Sequence, residues 1–324
     1  HQVLPDNLGQ RSSLVGGFLV DTRTPGGQRS IFGPFGVDKG RARIMRSSSR
    51  FEPKEGPHIR ESALCGTCHT LYTHSLGEEG KVVGELAEQM PYPEWLHSRY
   101  RDESGCPSCH LKAVGGSVAV SSVWGKPREG VRQHVFRGGN FLVPRILNRH
   151  RADLGVEALP GELEATAERT LARLQTEAAR LDLEGLRIED GRLEVTVHVR
   201  NLAGHKLPTA YPSRRAWIHL RVLDAGGRAV FESGRLRPDG SIEGNDNDRD
   251  PQVYEPHYAT IDSPDQVQIY EPILGSPDGR VTTGLLTATQ YLKDNRLLPE
   301  GFDKATAGPD IGVAGTARQD DDFR

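Results

Sequence analysis

The chain has 324 residues, 35% of them hydrophobic, with 41 basic and 44 acidic side chains and a formal net charge of −3. That length gives room for two domains and the composition allows an ordinary core. Interspersed charge of both signs removes any electrostatic case for a nucleic-acid partner or an anionic membrane surface, and no run of about 18 apolar residues is present to span a bilayer.

Residues 1–57 are rich in Gly, Arg, Ser and Pro, as in "RSIFGPFGVDKGRAR", without sustained periodicity. They read as an extended N-terminal segment laid over other surfaces. Residues 58–158 contain short helical stretches, "GELAEQM" and "YPEWLHSRY", and no long helix. In residues 159–185, Leu163, Ala167, Leu171, Leu174, Ala178 and Leu181 recur at spacings of four and three, predicting one linking helix between Pro160 and Gly185. From 186 the period changes to two: "LRIED-GRLEVTVHVRN" turns at Gly191, and "RRAWIHLRVLDAGGRAVFESG" turns at Ala225-Gly226-Gly227. "QVQIYEPIL" and "RVTTGLLTATQYL" also read as strands, with a late helix or turn near 285–296, so residues 186–324 are expected to form a β-sandwich-like domain. The final "ARQDDDFR" has no cap or closing strand, as in part of a longer chain.

All four cysteines fall into two copies of one pattern, Cys65-Gly66-Thr67-Cys68-His69 and Cys106-Pro107-Ser108-Cys109-His110. With 12 histidines in the chain, a His after both pairs is a coincidence of roughly one in 700. Two thiols three positions apart can add to the two vinyl groups of one porphyrin, and the next imidazole then binds the iron. Two disulfides, a four-cysteine zinc site or a thioredoxin-like redox pair would each leave the two histidines unexplained. The pattern therefore predicts two covalently bound haem c groups, with His69 and His110 as proximal ligands. Porphyrins would then supply much of the apolar core of residues 58–158. Covalent haem is installed outside the cytoplasm, which implies a periplasmic or extracellular chain whose signal peptide has been removed.

The residue closing the other face of each iron separates a carrier from an enzyme. Only Met45 and Met90 are present, against ten remaining histidines, so bis-histidine ligation is favoured. His134 stands in "RQHVFRGGN", where two glycines let backbone approach a flat ring. His205 stands in the Gly- and Pro-flanked loop "NLAGHKLPTAYP" after a strand. These two are the expected distal ligands, with His58, His74 and His97 as runners-up. His150, His198, His219 and His257 have weaker cases, and His198 and His219 are expected to face outward from strands. His1 is a weak copper candidate. The acidic run Asn245–Asp250 suggests calcium, but it lacks the sixth-position Gly and twelfth-position Glu of an EF-hand loop, which favours a solvated turn.

"ESALCGTCHTL", "EQMPYPEWLHSRYRDESGCPSCHLK", "HVFRGGN" and "NLAGHKLPTAYPSRRAW" together resemble the multihaem c-type cytochrome superfamily, which includes cytochrome c nitrite reductase, hydroxylamine oxidoreductase and extracellular cytochrome filaments. The resemblance implies closely spaced bis-His haems with distal ligands at His134 and His205. No Cys-x-x-Cys-Lys motif occurs, so a nitrite-reducing site on that plan is not expected. The expected fold is α+β: an irregular, mainly helical dihaem domain with an extended N-terminal segment, a linking helix and a C-terminal β-sandwich-like domain.

Three functions compete. The first is a dihaem cytochrome passing single electrons to redox protein partners or further cytochrome subunits, alone or in an oligomer. The second is a dihaem peroxidase or reductase with one open iron, and His97, Tyr100 or His58 handling protons. The third is an assembly subunit whose β domain is the binding module.

Overall fold

The computed structural model describes residues 2–122 and 125–324, and His1 lies outside them. Two compact units are interleaved along the chain. One comprises His1–Ser13, Phe18–Cys65 and Tyr100–Ala203, and the other Leu14–Gly17, Gly66–Arg99 and Gly204–Arg324.

In the first unit a parallel pair, Ser30–Gly33 with Glu52–Glu55, brackets a helix at Lys39–Ser49. The Asp38 side chain accepts from the Arg41 amide to start that helix, and Arg50 ends it in the left-handed region. Residues 1–57 thus contain regular structure, including an 11-residue helix that buries none of its side chains. Absence of an apolar stripe is why it left no periodic signal. The longest helix, Pro160–Glu177, opens with Pro160 and with Glu162 accepting from the Leu159 amide. It packs against Leu142–Arg149, and Arg145 meets Glu164 at 3.2 Å.

The linking helix ends earlier than its periodicity suggests. Ala167 and Thr170 are buried as a helical stripe requires, but Ala179–Glu189 is a strand paired with Arg192–Asn201, and Leu181 belongs to it. Leu181, Leu183, Leu186 and Ile188 follow the strand period, with a shift of register near Gly185, and this pairing takes over where the helical period would continue. The turn falls where the sequence places it, since Asp190 and Gly191 both have positive φ (49° and 74°) as a tight hairpin demands.

The second unit consists of short antiparallel pairs: Leu71–Leu76 with Val82–Gln89, Ala216–Trp217 with Ile269–Tyr270, Leu220–Leu223 with Ala229–Ser233, and Pro272–Gly275 with Gln290–Asp294. One apolar cluster joins Leu86, Leu274 and Ala288; another joins Ile242, Val267 and Ile269 beneath Trp217. "GELAEQM" reads as helix by composition but lies in a strand, because pairing with Leu71–Leu76 and burial of Leu86 outweigh weak intrinsic preference. The stretch 285–296 holds a turn at 285–287, as one of the two expected alternatives, followed by a strand, Gln290–Asp294, and no late helix.

Two expectations about fold class are therefore corrected. The chain is mixed α and β, but helix and strand take about equal shares, so no mainly helical domain is present. The frequent Gly and Pro, 37 and 21 residues, break most helices after one or two turns. The C-terminal part is not a sandwich of two broad sheets either, since every sheet among the described residues is two-stranded. Alternation correctly marked several strands, but alternation does not determine how strands assemble.

Ile269 is fully buried in its cluster. Replacing it by Ala should lower the unfolding free energy by about 2–4 kcal/mol, measured by denaturant titration, and a loss under about 1 kcal/mol would contradict its place in that core.

Candidate functional site

The second cysteine motif forms a single helical segment, Cys106–His110, with Pro107 in its first turn. Residues three apart lie on one face of such a turn, so Cys106 and Cys109 share a side. Ser62 holds the start of the segment: its hydroxyl accepts from the Cys106 amide at 2.9 Å. Gly105 permits that approach, as a Cβ there would lie 2.9 Å from the Ser62 oxygen.

The end of the segment is held by arginines. Arg132 donates to the carbonyls of Pro107 (2.9 Å) and Leu111 (3.0 Å), and Arg137 to that of Cys109 (2.9 Å). Arg173 also donates to the Cys109 carbonyl. Cations at the last carbonyls of a helix satisfy acceptors that have no partner within it. Glu177 pairs with both Arg137 (3.3 Å) and Arg173 (3.7 Å), tying the two guanidinium groups together. Sequence reasoning did not find these arginines. Arg137 adjoins the glycine pair in "HVFRGGN", which offered a weak cue; Arg173 had none.

His110 is oriented by the same strand. Its Nδ1 lies 2.6 Å from the Arg137 carbonyl oxygen. A carbonyl can only accept, so Nδ1 carries a proton in this contact. A metal-bound imidazole is fixed in the same manner, by a hydrogen bond to its other nitrogen.

The first motif begins at the end of a helix, Ser62–Gly66, and the division between the units falls within it, between Cys65 and Gly66. Thr67 is buried and its carbonyl accepts from the Gly16 amide at 2.7 Å, while the Thr70 carbonyl accepts from Val15 at 3.1 Å. Gly66 lies so close to the Tyr92 ring that a Cβ would come within 2.6 Å of it. These contacts fix the peptide around Cys68 and His69, both of which are exposed.

Within the first unit, one cysteine of each motif meets the other. The Cys106 thiol hydrogen-bonds with that of Cys65, which draws its pKa down to about 7 against the opposing effect of burial, with Ser62 assisting. No disulfide links the four cysteines. Among the described residues, no three His, Cys, Asp or Glu side chains converge as a site for a bare metal ion. The donors at hand are two thiol pairs, each followed by an imidazole, residues that could hold a covalently attached porphyrin.

The expected distal histidines lie in different units. His134 lies in the strand Arg132–Phe136, whose partner strand Leu111–Ala113 directly follows His110; it is exposed, with its ring 6.3 Å from that of Phe136. His205 lies in the second unit, as do Cys68 and His69. Its Nδ1 is 2.9 Å from the Lys206 carbonyl oxygen, the arrangement seen at His110.

The runners-up are differently engaged. His58 is buried with Nε2 3.0 Å from the Val3 carbonyl oxygen, and His97 has Nε2 2.9 Å from that of Asp303. The nitrogen that a ligand would use is thus occupied in each. His74 faces Glu85 at 3.5 Å, His198 faces Glu184 at 3.4 Å and His219 faces Glu232 at 2.9 Å, all as strand-surface pairs, while His150 lies 3.8 Å from Asp153. His257 is an interior hub: Nε2 meets Asp320 at 3.0 Å, and Nδ1 receives the amide groups of Gln268 (2.9 Å) and Asn295 (3.1 Å).

In the acidic run, Asn245 caps a short turn at Asp246–Asp248, and the Asp248 carboxylate is taken up by Arg215 (3.0 Å) and the Ile242 amide (2.7 Å). Those contacts support the turn reading over calcium.

No protein-family model, curated protein or solved structure matches the chain. The site's chemistry accordingly rests on its own residues.

Burial holds the His257 pKa below the ordinary imidazole value, although Asp320 acts to raise it. Its neutral form stabilises the fold above the free-imidazole pKa, and that contribution is lost as the pH falls through the folded value. An NMR titration should place its midpoint below about 6.5, and a midpoint above that would contradict the arrangement.

Proposed function

We propose that the chain is a dihaem c-type cytochrome that passes single electrons. One haem is anchored by Cys65 and Cys68 with His69 as proximal ligand, the other by Cys106 and Cys109 with His110. The observation that carries the reading is the repeated Cys-x-x-Cys-His pattern, which takes up all four cysteines, and the meeting of Cys65 with Cys106 inside the first unit is consistent with it.

The burial pattern gives separate support. Of the apolar side chains buried among the described residues, only Ala167 and Pro53 belong to the first unit. Phe136, Leu142 and Ile146 are each more than half exposed in the same unit. A unit so poor in buried side chains suits a design in which porphyrins supply the apolar surface.

When bound, haem supplies a one-electron change at iron. The protein's part is to hold and tune it. The thiols fix each macrocycle, and the carbonyls of Arg137 and Lys206 orient the imidazoles of His110 and His205. The positive groups of Arg132, Arg137 and Arg173 lie around the second motif and favour the less positive, reduced state there. His134 and His205 close the remaining iron positions in this reading, which excludes substrate and favours transfer over catalysis. Partners are redox proteins or further cytochrome subunits, in the periplasm or outside the cell. No helix among the described residues is long and apolar enough to cross a membrane.

The oxidised protein should give only low-spin ferric signals by paramagnetic resonance, and His205→Ala should convert one haem to high spin. A native high-spin haem that binds added cyanide would contradict the carrier reading and favour an enzyme with an open iron. Replacing Cys106 and Cys109 by Ala should remove one haem and raise the protease sensitivity of residues 100–203 at least several-fold. Unchanged sensitivity would show that the haem contributes nothing to that unit's packing.

A further inference from the structure

Three guanidinium groups of the first unit converge on the second cysteine motif, and one carboxylate accompanies them. Arg132, Arg137 and Arg173 all donate to backbone carbonyls between Pro107 and Leu111. Glu177 pairs with Arg137 at 3.3 Å and with Arg173 at 3.7 Å. Arg132 gives its contacts to the carbonyls of Pro107, Ser108 and Leu111 and makes no ion pair among the described residues. Two positive charges at this place therefore lack a negative counterpart. The Arg137 side chain is 21% exposed and that of Arg173 14%, and an unbalanced charge drawn out of water is costly.

Arg137 shows where an anion belongs. Its Nη2 donates to the Cys109 carbonyl at 2.9 Å and its Nη1 lies 3.3 Å from Glu177, yet its Nε is buried and has no hydrogen-bond partner among the described residues. A buried N–H without an acceptor is rare in folded proteins and points to a group that completes it. The adjoining backbone leaves room for one, since a Cβ built at Gly138 meets no atom within 4 Å. The open donor thus belongs to the residue that touches the last cysteine of the motif and whose carbonyl meets His110 Nδ1 at 2.6 Å. The planar guanidinium fork is the preferred partner of a carboxylate.

Resting on the haem reading above, we propose that Arg137 is a carboxylate-binding residue, whose Nε takes a propionate of the porphyrin attached at Cys106 and Cys109. Haem carries two such carboxylates, which match the two unbalanced guanidinium charges around the motif. The thioether links tie the macrocycle by its vinyl groups, and Arg137 holds it by an acid group, so the ring is fixed at two edges. Arg132 serves the backbone alone, through its three carbonyl contacts.

The test uses the full haem-loaded chain, in which carboxylates are coupled to methylamine by a water-soluble carbodiimide. Trypsin then frees residues 102–112, which carry Cys106 and Cys109, and the mass of the haem fragment reports how many of its carboxylates were coupled. In the native chain, one carboxylate of this haem should react at least several-fold more slowly than in the haem peptide digested beforehand. Arg137→Gln should remove that protection while both haems stay attached, and Arg132→Gln, which also removes a positive charge and contacts to the same segment, should keep it. The native chain alone decides the matter if Arg137→Gln fails to fold, because two carboxylates that react as fast as in the digested peptide overturn the proposal. It is overturned as well if protection survives Arg137→Gln, or if Arg132→Gln abolishes it equally. A peptide 102–112 that carries no porphyrin would instead remove the haem reading, and this proposal with it.

Discussion

The proximity of Cys65 and Cys106 in the first unit is the contact around which the candidate site is arranged. It joins residues 41 positions apart and places the ends of two short helices together. The Ser62 hydroxyl, bonded to the Cys106 amide, strengthens the same junction. Around it the backbone is held by side chains: Arg132, Arg137 and Arg173 satisfy the carbonyls that a one-turn helix leaves open. A motif so short cannot stabilise itself, because nucleating a turn costs more than one or two internal hydrogen bonds return.

The two units are built on different principles. The second has two apolar clusters and a dense interior of paired charges, in which Arg296 and Lys206 hold the Asp294 pKa down to about 2 although burial pushes it upward. The first unit has little buried apolar surface and relies on backbone pairing, arginine contacts and one long helix. Ordering each residue of a chain costs on the order of 1–2 kcal/mol, which leaves such a unit in need of a further cohesive component. In the reading proposed above, two covalently held porphyrins would meet that need and would also account for the four cysteines and the two histidines that follow them.

Parts of this were legible in the sequence for physical reasons. The two cysteine pentapeptides are a local pattern, so they stood out in the sequence unaided. Tight turns at Asp190-Gly191 and Ala225-Gly226-Gly227 were legible because positive φ and two-residue periodicity are local as well. The helix stripe held through Leu174 and then misled at Leu181, where strand pairing replaced it. The assignment of "GELAEQM" to helix failed because preference is weak beside cross-strand pairing. Sheet assembly was not legible, since alternation reports a face and carries no information about the partner.

The buried charges were least legible. Lys206 and Glu94 are 112 residues apart, and such side chains belong on the surface by default. Only the folded chain shows that they meet and that the lysine beside a candidate ligand is an interior anchor. At the histidines, the sequence narrowed the choice to a few residues. Ring hydrogen bonding then counted against His58 and His97, whose Nε2 atoms are taken.

The central claim is covalent attachment of two haems, and the most direct measurement is the intact mass of denatured protein produced in a host that matures c-type cytochromes. The expected mass is that of the chain plus two haem groups, retained through acidified-solvent extraction. A mass equal to the bare chain, or to the chain with zinc or disulfides in place of haem, would contradict the account.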